Sequence, residues 1–432
     1  MQEIRGAMPE RGPARVERVA LVSVHTCPLD QPGVGDSGGM NVYVRSVARR
    51  LAEMGVEVDI FTRAAGPEQH VVDVDPGVRV VHLEAGPDAP VPKEDLPNYL
   101  GAFVGSLVRF EAQESERAGR TSPGYHLVHS HYWLSGAIGR HARERWQIPL
   151  VHSFHTLGRV KNRTIAPGES PEPAGRIAGE QRVVQAADCI LAPTIGEAAD
   201  LVNLYGADPT KVRVVAPGVD TDLFRPGDRV EAKAALEMTG RAVVLFVGRL
   251  QPLKQPDVAV RAVAELARHS PALAERLLLV IVGGPSGHGG VQPSALAKLA
   301  ADLGISELIR LEGTVPHDHL PTYYRAAVVT LIPSRSESFG LVAIESSACG
   351  TPVVASDVGG LRVAVRDGDT GLLVPSFAPE EFADSIGDLL ADPARAATMG
   401  DAGAHFARRF DWRRASVDLL AIYEDLVAPA DA

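Results

Sequence analysis

The sequence predicts an α/β protein of two Rossmann-like, doubly wound domains facing each other across a cleft. Three observations carry that expectation. Short apolar runs alternate with helical-period segments from end to end, the pattern of βαβ units on a parallel sheet. The chain has 432 residues, more than one compact core sustains, so two domains of about 200 residues each follow. The alternation also breaks once, at Pro217–Pro226 (PGVDTDLFRP), where turn-forming residues separate one strand series from the next.

In the first series the strands read RVALVSV, EVDIFTR, VRVVHLE, HLVHSH, PLVHSFH, CILAPT and KVRVVAPG. Between the first two lies a helix with Val44, Val47, Leu51 and Met54 at three-to-four spacing, and Gly55 stands as its stop. The second series reads AVVLFVG, LLLVIVGG, IRLEGTV, VVTLIPS, PVVASD and GLLVP. The tail FDWRRASVDLLAIYEDLV is helical, and periodicity does not say where it attaches. The expected division is residues 1–218 for the first domain and 219–410 for the second, with a final helix at about 411–427.

Composition narrows the function classes. A formal net charge of −11, from 43 basic and 54 acidic side chains, argues against non-specific nucleic-acid binding. Cys27, Cys189 and Cys349 lie far apart with no CxxC pair, which disfavours a disulfide framework or zinc ribbon and suits a reducing cytoplasm. The first residues, MQEIRGAMPERGPAR, are charged and lack the apolar core of a signal peptide. The most apolar run, Leu277–Gly284, is too short to span a bilayer. A cytoplasmic protein with neither nucleic acid nor membrane as partner is expected.

The second half carries the strongest chemistry. FVGRLQPLK puts Arg249 and Lys254 just beyond a buried strand, where ligands of open α/β sheets bind. Such a pair suits a pyrophosphate, although alone it also reads as a solvated surface pair. SRSESFGLVAIES places Glu337 and Glu345 around a helix start at Ser338-Phe339-Gly340. Free N–H groups there suit an anion, Glu337 can accept from sugar hydroxyls, and Glu345 can reach a ribose diol. The plainer reading is two helix-favouring glutamates.

ESFGLVAIE, CGTPVVASDVGG and FVGRLQPLK together resemble the family 4 retaining glycosyltransferases, two-domain GT-B enzymes that use sugar nucleotides. The resemblance covers nearly the whole chain. It implies that Arg249 and Lys254 bind the nucleotide diphosphate, Glu337 the donor sugar and Glu345 the ribose. EGTVP matches the strand that reads the base, so Val315 is implied as a uracil contact. The resemblance also implies that the final helix crosses back onto the first domain. No catalytic divalent metal is expected, and these motifs offer no obvious Asp-x-Asp candidate. A peripheral, structural Mg²⁺ site is implied at Tyr324, Arg325, Ala327 and Thr351.

QPGVGDSGGMNVYV contains Gly-x-Gly-x-x-Gly at Gly33, Gly35 and Gly38, a spacing shared with dinucleotide turns. Seven residues separate His25 from Gly33, too many for that tight turn, and EVDIFTR ends in Thr62-Arg63 without the acid that NAD requires. The NAD reading fails. SVHTCPLDQPGVGDSGGMNVYV instead resembles the branch of the family that transfers N-acetylglucosamine from UDP-GlcNAc to 1D-myo-inositol 3-phosphate, the first committed step of mycothiol synthesis. On that resemblance His25 and the loop Asp36, Ser37, Gly38, Gly39, Met40 and Asn41 meet the inositol phosphate. Gln31, Pro32 and Gly39 touch the sugar nucleotide. Asn41 has an amide able both to donate to and to accept from a polyol. Lys93, Tyr132, Thr156 and Arg176 match the branch's inositol-phosphate residues, a phosphate cage of two cations and two hydroxyls.

His129, His131, His152 and His155 lie near adjoining strand ends without a cysteine or carboxylate at ligand spacing, so zinc is disfavoured. The resemblance sets His155 beside the reacting sugar, and the others read as strand-end histidines satisfied by backbone. Retention without a convincing carboxylate nucleophile favours front-side substitution assisted by Arg249 and Lys254. Rivals are a sucrose-phosphate-synthase-like or phosphatidylinositol-mannosyltransferase-like enzyme, a sugar-nucleotide epimerase and a sugar-binding protein. A homodimer is implied by the resemblance.

Overall fold

The first sheet is built by β1 (Arg18–Val22), β2 (Glu57–Arg63), β3 (Val71–Asp75), β4 (Val78–Leu83), β5 (Leu127–His131), β6 (Leu150–Ser153), β7 (Cys189–Ala192) and β8 (Val212–Val214). This computed structural model describes residues 16–66, 70–121, 123–165, 170–286 and 290–428. The strand order is β3-β4-β2-β1-β5-β6-β7-β8, parallel except at the β3–β4 pair. The second sheet holds β9 (Ala242–Val247), β10 (Leu277–Val282), β11 (Ile309–Gly313), β12 (Val329–Ile332), β13 (Val353–Ser356) and β14 (Gly371–Val374). Its order is β11-β10-β9-β12-β13-β14, parallel throughout. In both sheets the winding reverses beside the first strand, between β1 and β5 and between β9 and β12. That reversal opens a crevice at the carboxyl ends, where such sheets bind ligands.

The apolar runs become strands because each sheet is covered on both faces. In β1, Ala20 and Val22 join one buried cluster while Val19 and Leu21 join the other. In β9, Val243 and Leu245 alternate in the same way with Val244 and Phe246. The expected first helix forms over Gly39–Glu53, buries Val44, Val47 and Leu51, and is followed by Gly55 at φ +88°. Among the described residues, the strand that the sequence did not reveal is β3, an antiparallel edge paired to β4. Its VVDVD carries too little buried apolar surface to announce itself, and its acids keep the edge from further pairing.

The final helix, Trp412–Val427, packs on the helix Gly39–Glu53. Trp412, Leu419 and Tyr423 join the apolar cluster on one face of the first sheet. The chain therefore passes between the sheets twice, and the two passages lie side by side. The Val219 N–H donates to the Phe410 carbonyl at 2.7 Å, and Val219 forms a bridge with Asp411. Gly218 is needed there, because a Cβ would stand 2.3 Å from the Trp412 nitrogen. Among the described residues no helix is long and apolar enough to cross a membrane.

Candidate active site

The carboxyl ends of β9 and β12 supply one wall of the cleft. Arg249, two residues past β9, reaches the glycine loop. Its Nη1 donates to the Asp36 carbonyl at 3.2 Å and to Ser286 Oγ at 3.3 Å, and lies 3.8 Å from the Asp36 carboxylate. Lys254, in a single turn Pro252–Lys254, pairs with Glu337, whose Oε1 also accepts from Ser334 at 3.2 Å. The Glu337 carbonyl in turn accepts from the Gly360 N–H at 2.8 Å. Gly359 has φ +44°, and a Cβ there would stand 2.3 Å from that carbonyl, so this glycine is what lets the Glu337 loop lie where it does.

Gly340, at φ +101°, starts the helix Leu341–Ala348 and offers no side chain to occupy its first N–H groups, which suits an anion. Glu345, one turn in, is buried and accepts from Tyr324 OH at 2.8 Å and pairs with His317 Nε2 at 2.8 Å. Burial alone lowers the His317 pKa, but Glu345 outweighs it and holds the imidazole above its ordinary value. A carboxylate accepts more than two hydrogen bonds, so these partners orient Glu345 without closing it to a diol. Val315 follows β11, half-buried at the edge of the second core.

The opposite wall comes from the ends of β1, β5 and β6. His25 is half-buried with its ring 4.4 Å from that of Tyr132, and its buried Nδ1 has no partner among the described residues. Burial pushes the His25 pKa down to about 3, so the ring is neutral. Tyr132 and His155, just past β5 and β6, sit at φ +72° and +60°. Left-handed backbone is costly for a bulky side chain, and such outliers gather at working sites. Lys93 bonds to Asp36 at 3.0 Å. Burial opposes ionisation of Asp36, but Lys93 and Arg249 together hold its pKa below the usual carboxylate value. Arg176 donates to the Thr156 hydroxyl at 2.9 Å and lies 5.1 Å from the Tyr132 ring. Lys93, Tyr132, Thr156 and Arg176 thus gather at one place. The walls also touch directly, through Ser338 Oγ donating to the His155 carbonyl at 2.7 Å and Arg335 donating to the Thr164 carbonyl at 3.2 Å.

Three expectations are corrected. The Asn41 amide does not face a polyol: it is buried, accepts from the Gly38 N–H at 3.2 Å and donates to the Cys27 carbonyl at 2.7 Å, bracing the loop. Ser37 is likewise buried inside the loop and bonds to Asp30 at 3.4 Å. The strand-end histidines are not satisfied by backbone. His129 bonds to Tyr423 OH at 2.6 Å and Ser153 Oγ at 2.9 Å, His152 to Ser130 Oγ at 2.8 Å, and His131 to His155 at 3.0 Å. Their partners are side chains, one of them 294 residues away.

Gln31 and Pro32 are half-buried at the start of the loop, and Met40 packs against both faces of the first core. A Cβ on Gly39 would come within 3.2 Å of Leu341 across the cleft. At the implied Mg²⁺ position the Thr351 hydroxyl donates to the Tyr324 carbonyl at 2.6 Å, the Ala327 N–H points at the same carbonyl, and Arg325 is turned to the Arg225 and Leu223 carbonyls. This cluster holds neutral oxygen donors and no carboxylate, so it fits a hard cation that keeps most of its waters. Among the described residues no group of three or more His, Cys, Asp or Glu could hold a metal. The sequence did not single out Lys161, Glu172 or His317, whose placement depends wholly on tertiary contacts.

The family model of glycosyl transferases group 1 matches residues 228–406, and that of the glycosyl transferase 4-like domain matches residues 38–218. A D-inositol 3-phosphate glycosyltransferase of Acidothermus cellulolyticus is 51% identical, over 95% of this chain and 91% of that protein. The chain belongs to the D-inositol 3-phosphate glycosyltransferase family. Another member, from Thermobispora bispora, is 49% identical over 95% of both chains. Among solved structures, sucrose-phosphate synthase from Thermosynechococcus elongatus superposes with a TM-score of 0.87 at 33% identity, covering 96% of this chain and all of that one. Anabaena HepE, solved with UDP and glucose, gives a TM-score of 0.73 at 20% identity over 95% of this chain and 100% of its own, which bears on the fold alone. The two opposed walls are those of a GT-B glycosyltransferase.

Proposed function

We propose that the enzyme transfers N-acetylglucosamine from UDP-GlcNAc to 1D-myo-inositol 3-phosphate with retention at the anomeric carbon. The observation that carries this reading is the convergence of two anion-suited cation sets from opposite walls. Arg249 and Lys254 stand at the end of β9, and Lys93 and Arg176 face them from the first domain, with the Ser338–His155 contact between. Relatives at about 50% identity that carry the D-inositol 3-phosphate name support the acceptor.

Donor binding is assigned to Gln31, Pro32, Gly39, Arg249, Lys254, Val315, Glu337 and Glu345. Acceptor binding falls to His25, the backbone of residues 36–41, Lys93, Tyr132, Thr156 and Arg176, with His155 beside the reacting carbon. In the reaction the acceptor oxygen bonds to the anomeric carbon as the bond from that carbon to the UDP phosphate breaks. The departing phosphate oxygen takes the acceptor's proton, while Arg249 and Lys254 stabilise its charge. The Lys254 pairing of Glu337 suits a carboxylate that binds a sugar hydroxyl rather than one that attacks carbon. A peripheral magnesium would rest on the Tyr324 carbonyl and the Thr351 hydroxyl, and no step passes through it. A homodimer belongs to the same reading.

Incubation with a panel of UDP-sugars and polyol or sugar phosphates, with the product read by mass and NMR, tests the reading. The expected product is an α-linked N-acetylglucosaminyl inositol phosphate. Preference for another sugar phosphate as acceptor would overturn it.

A further inference from the structure

The acceptor phosphate cage contains more charge than its four expected members. Arg176 is only 6% exposed and uses its whole guanidinium. Nη2 donates to Thr156, Nε to Glu180 at 2.8 Å, and Nη1 meets Glu172 Oε2 at 2.8 Å. The other oxygen of Glu172 takes the ammonium of Lys161. Lys161 lies on the short helix Gly158–Arg163 and is within electrostatic reach of both Arg176 and Lys93.

The two carboxylates on Arg176 differ in kind. Glu180 is fully buried, accepts from the Gly158 N–H at 3.1 Å with both oxygens, and accepts from Tyr205 OH. It cannot leave without stranding three donors. Glu172 lies at the rim, 18% exposed, between Pro171 and Pro173, and among the described residues its carboxylate is held by the two cations. A carboxylate bridging a lysine and an arginine, with a third cation and two hydroxyls close by, presents its oxygens where a phosphate would present its own.

We infer that Lys161 is a further ligand of the acceptor's phosphate and that Glu172 is an internal anion holding the same position, displaced when the phosphate enters. This rests on the reading of the acceptor as a phosphorylated polyol. The exchange swaps one carboxylate for a dianion at Lys161 and Arg176, so the phosphate wins through its second charge and its extra oxygen. Acceptors that carry a single negative charge gain nothing over Glu172, and the internal anion thereby sharpens selection for phosphate.

Calorimetric titration of the full-length enzyme with inorganic phosphate, and separately with 1D-myo-inositol 3-phosphate, tests the inference. Glu172→Gln removes the competitor and is expected to tighten phosphate binding about tenfold, while Lys161→Met is expected to weaken it about tenfold. Lys161→Arg, which keeps the charge, is expected to stay within about threefold of wild type. Near-ultraviolet circular dichroism verifies that each variant keeps its packing. If Glu172→Gln binds phosphate no better than wild type, Glu172 is a structural brace and the inference fails. Unchanged affinity in Lys161→Met also overturns it. Should the wild type bind phosphate with these variant effects yet glycosylate no inositol phosphate, the functional reading fails while the anion exchange stands.

Discussion

Arg249 touches the glycine loop from across the cleft, and burial already works against its charge. Removing a charge-assisted donor aimed at a leaving diphosphate costs on the order of 3 kcal/mol, so Arg249→Ala should lower turnover roughly a hundredfold. Steady-state rates on the folded variant check this, and an intact turnover number would remove Arg249 from the donor site. Arg176 is expected to separate two acceptors. Wild type should prefer inositol 3-phosphate over myo-inositol by roughly 10⁴-fold, because a site built for an anion rejects the analogue that leaves its donors unpaired. Arg176→Ala should abolish most of that preference while barely altering the feeble reaction with myo-inositol, and equal losses on both in a variant that keeps its fold would remove Arg176 from the phosphate site. At this scale local spacing in the sequence singled out side chains that the fold gathers at one wall of the cleft, such as Arg249, Lys254 and Glu337. It misled where burial decides, since an asparagine in a loop looks available until Cys27 and Gly38 claim both ends of its amide.

The ends of β5 and β6 hold a run of histidines that must stay neutral. Burial lowers the pKa of His129 and His155 to about 3, and those of His131 and His152 well below the ordinary 6.5. The unfolded chain therefore takes up protons, between pH 6.5 and about 3, that the fold refuses. Stability is fully present above about pH 6.5 and is lost as the pH falls, by up to ~1.4 kcal/mol per pH unit for each such histidine. Urea denaturation at pH 7.5, 6.5 and 5.5 should show a midpoint that falls steeply over the lower interval, and a flat midpoint would mean that these rings already find protons. Tyr423→Phe removes the hydroxyl bonded to buried His129 and should cost about 1–3 kcal/mol at neutral pH by the same denaturation. The strands that carry these rings were legible because their apolar runs are buried on both faces. The histidine network was not, because its anchoring tyrosine comes from the far end of the chain, and β3 was missed because half-exposed VVDVD has no core-facing stripe to read.

At the scale of the molecule, the first core is finished by residues that follow the second. Trp412 stands edge-on to Tyr43 at 5.5 Å, and Leu419 and Tyr423 are fully buried in that core. A fragment covering residues 1–218 lacks this cover and should remain loosely packed, with weak near-ultraviolet dichroism and strong binding of a hydrophobic dye. Mixing it with a fragment covering residues 219–432 should restore both the packing and the transferase activity. A well-packed 1–218 fragment would show that the final helix is only an accessory. The doubly wound sheets were readable from the alternation of runs, whereas the return of the tail depends on a match between surfaces that periodicity does not encode.

The paired passage at Val219 and Phe410 also bears on how the protein is made. On the ribosome the first half is made before the second, yet the helix that covers it, Trp412–Val427, is translated only after the whole second half. Until then one face of the early half, with Tyr43 and His129 on it, has no lid and is open to chaperones or to sticking. Every finished molecule therefore completes its earlier-made domain with later-made residues, and a ribosome that stalls before Trp412 releases an early half without its covering helix.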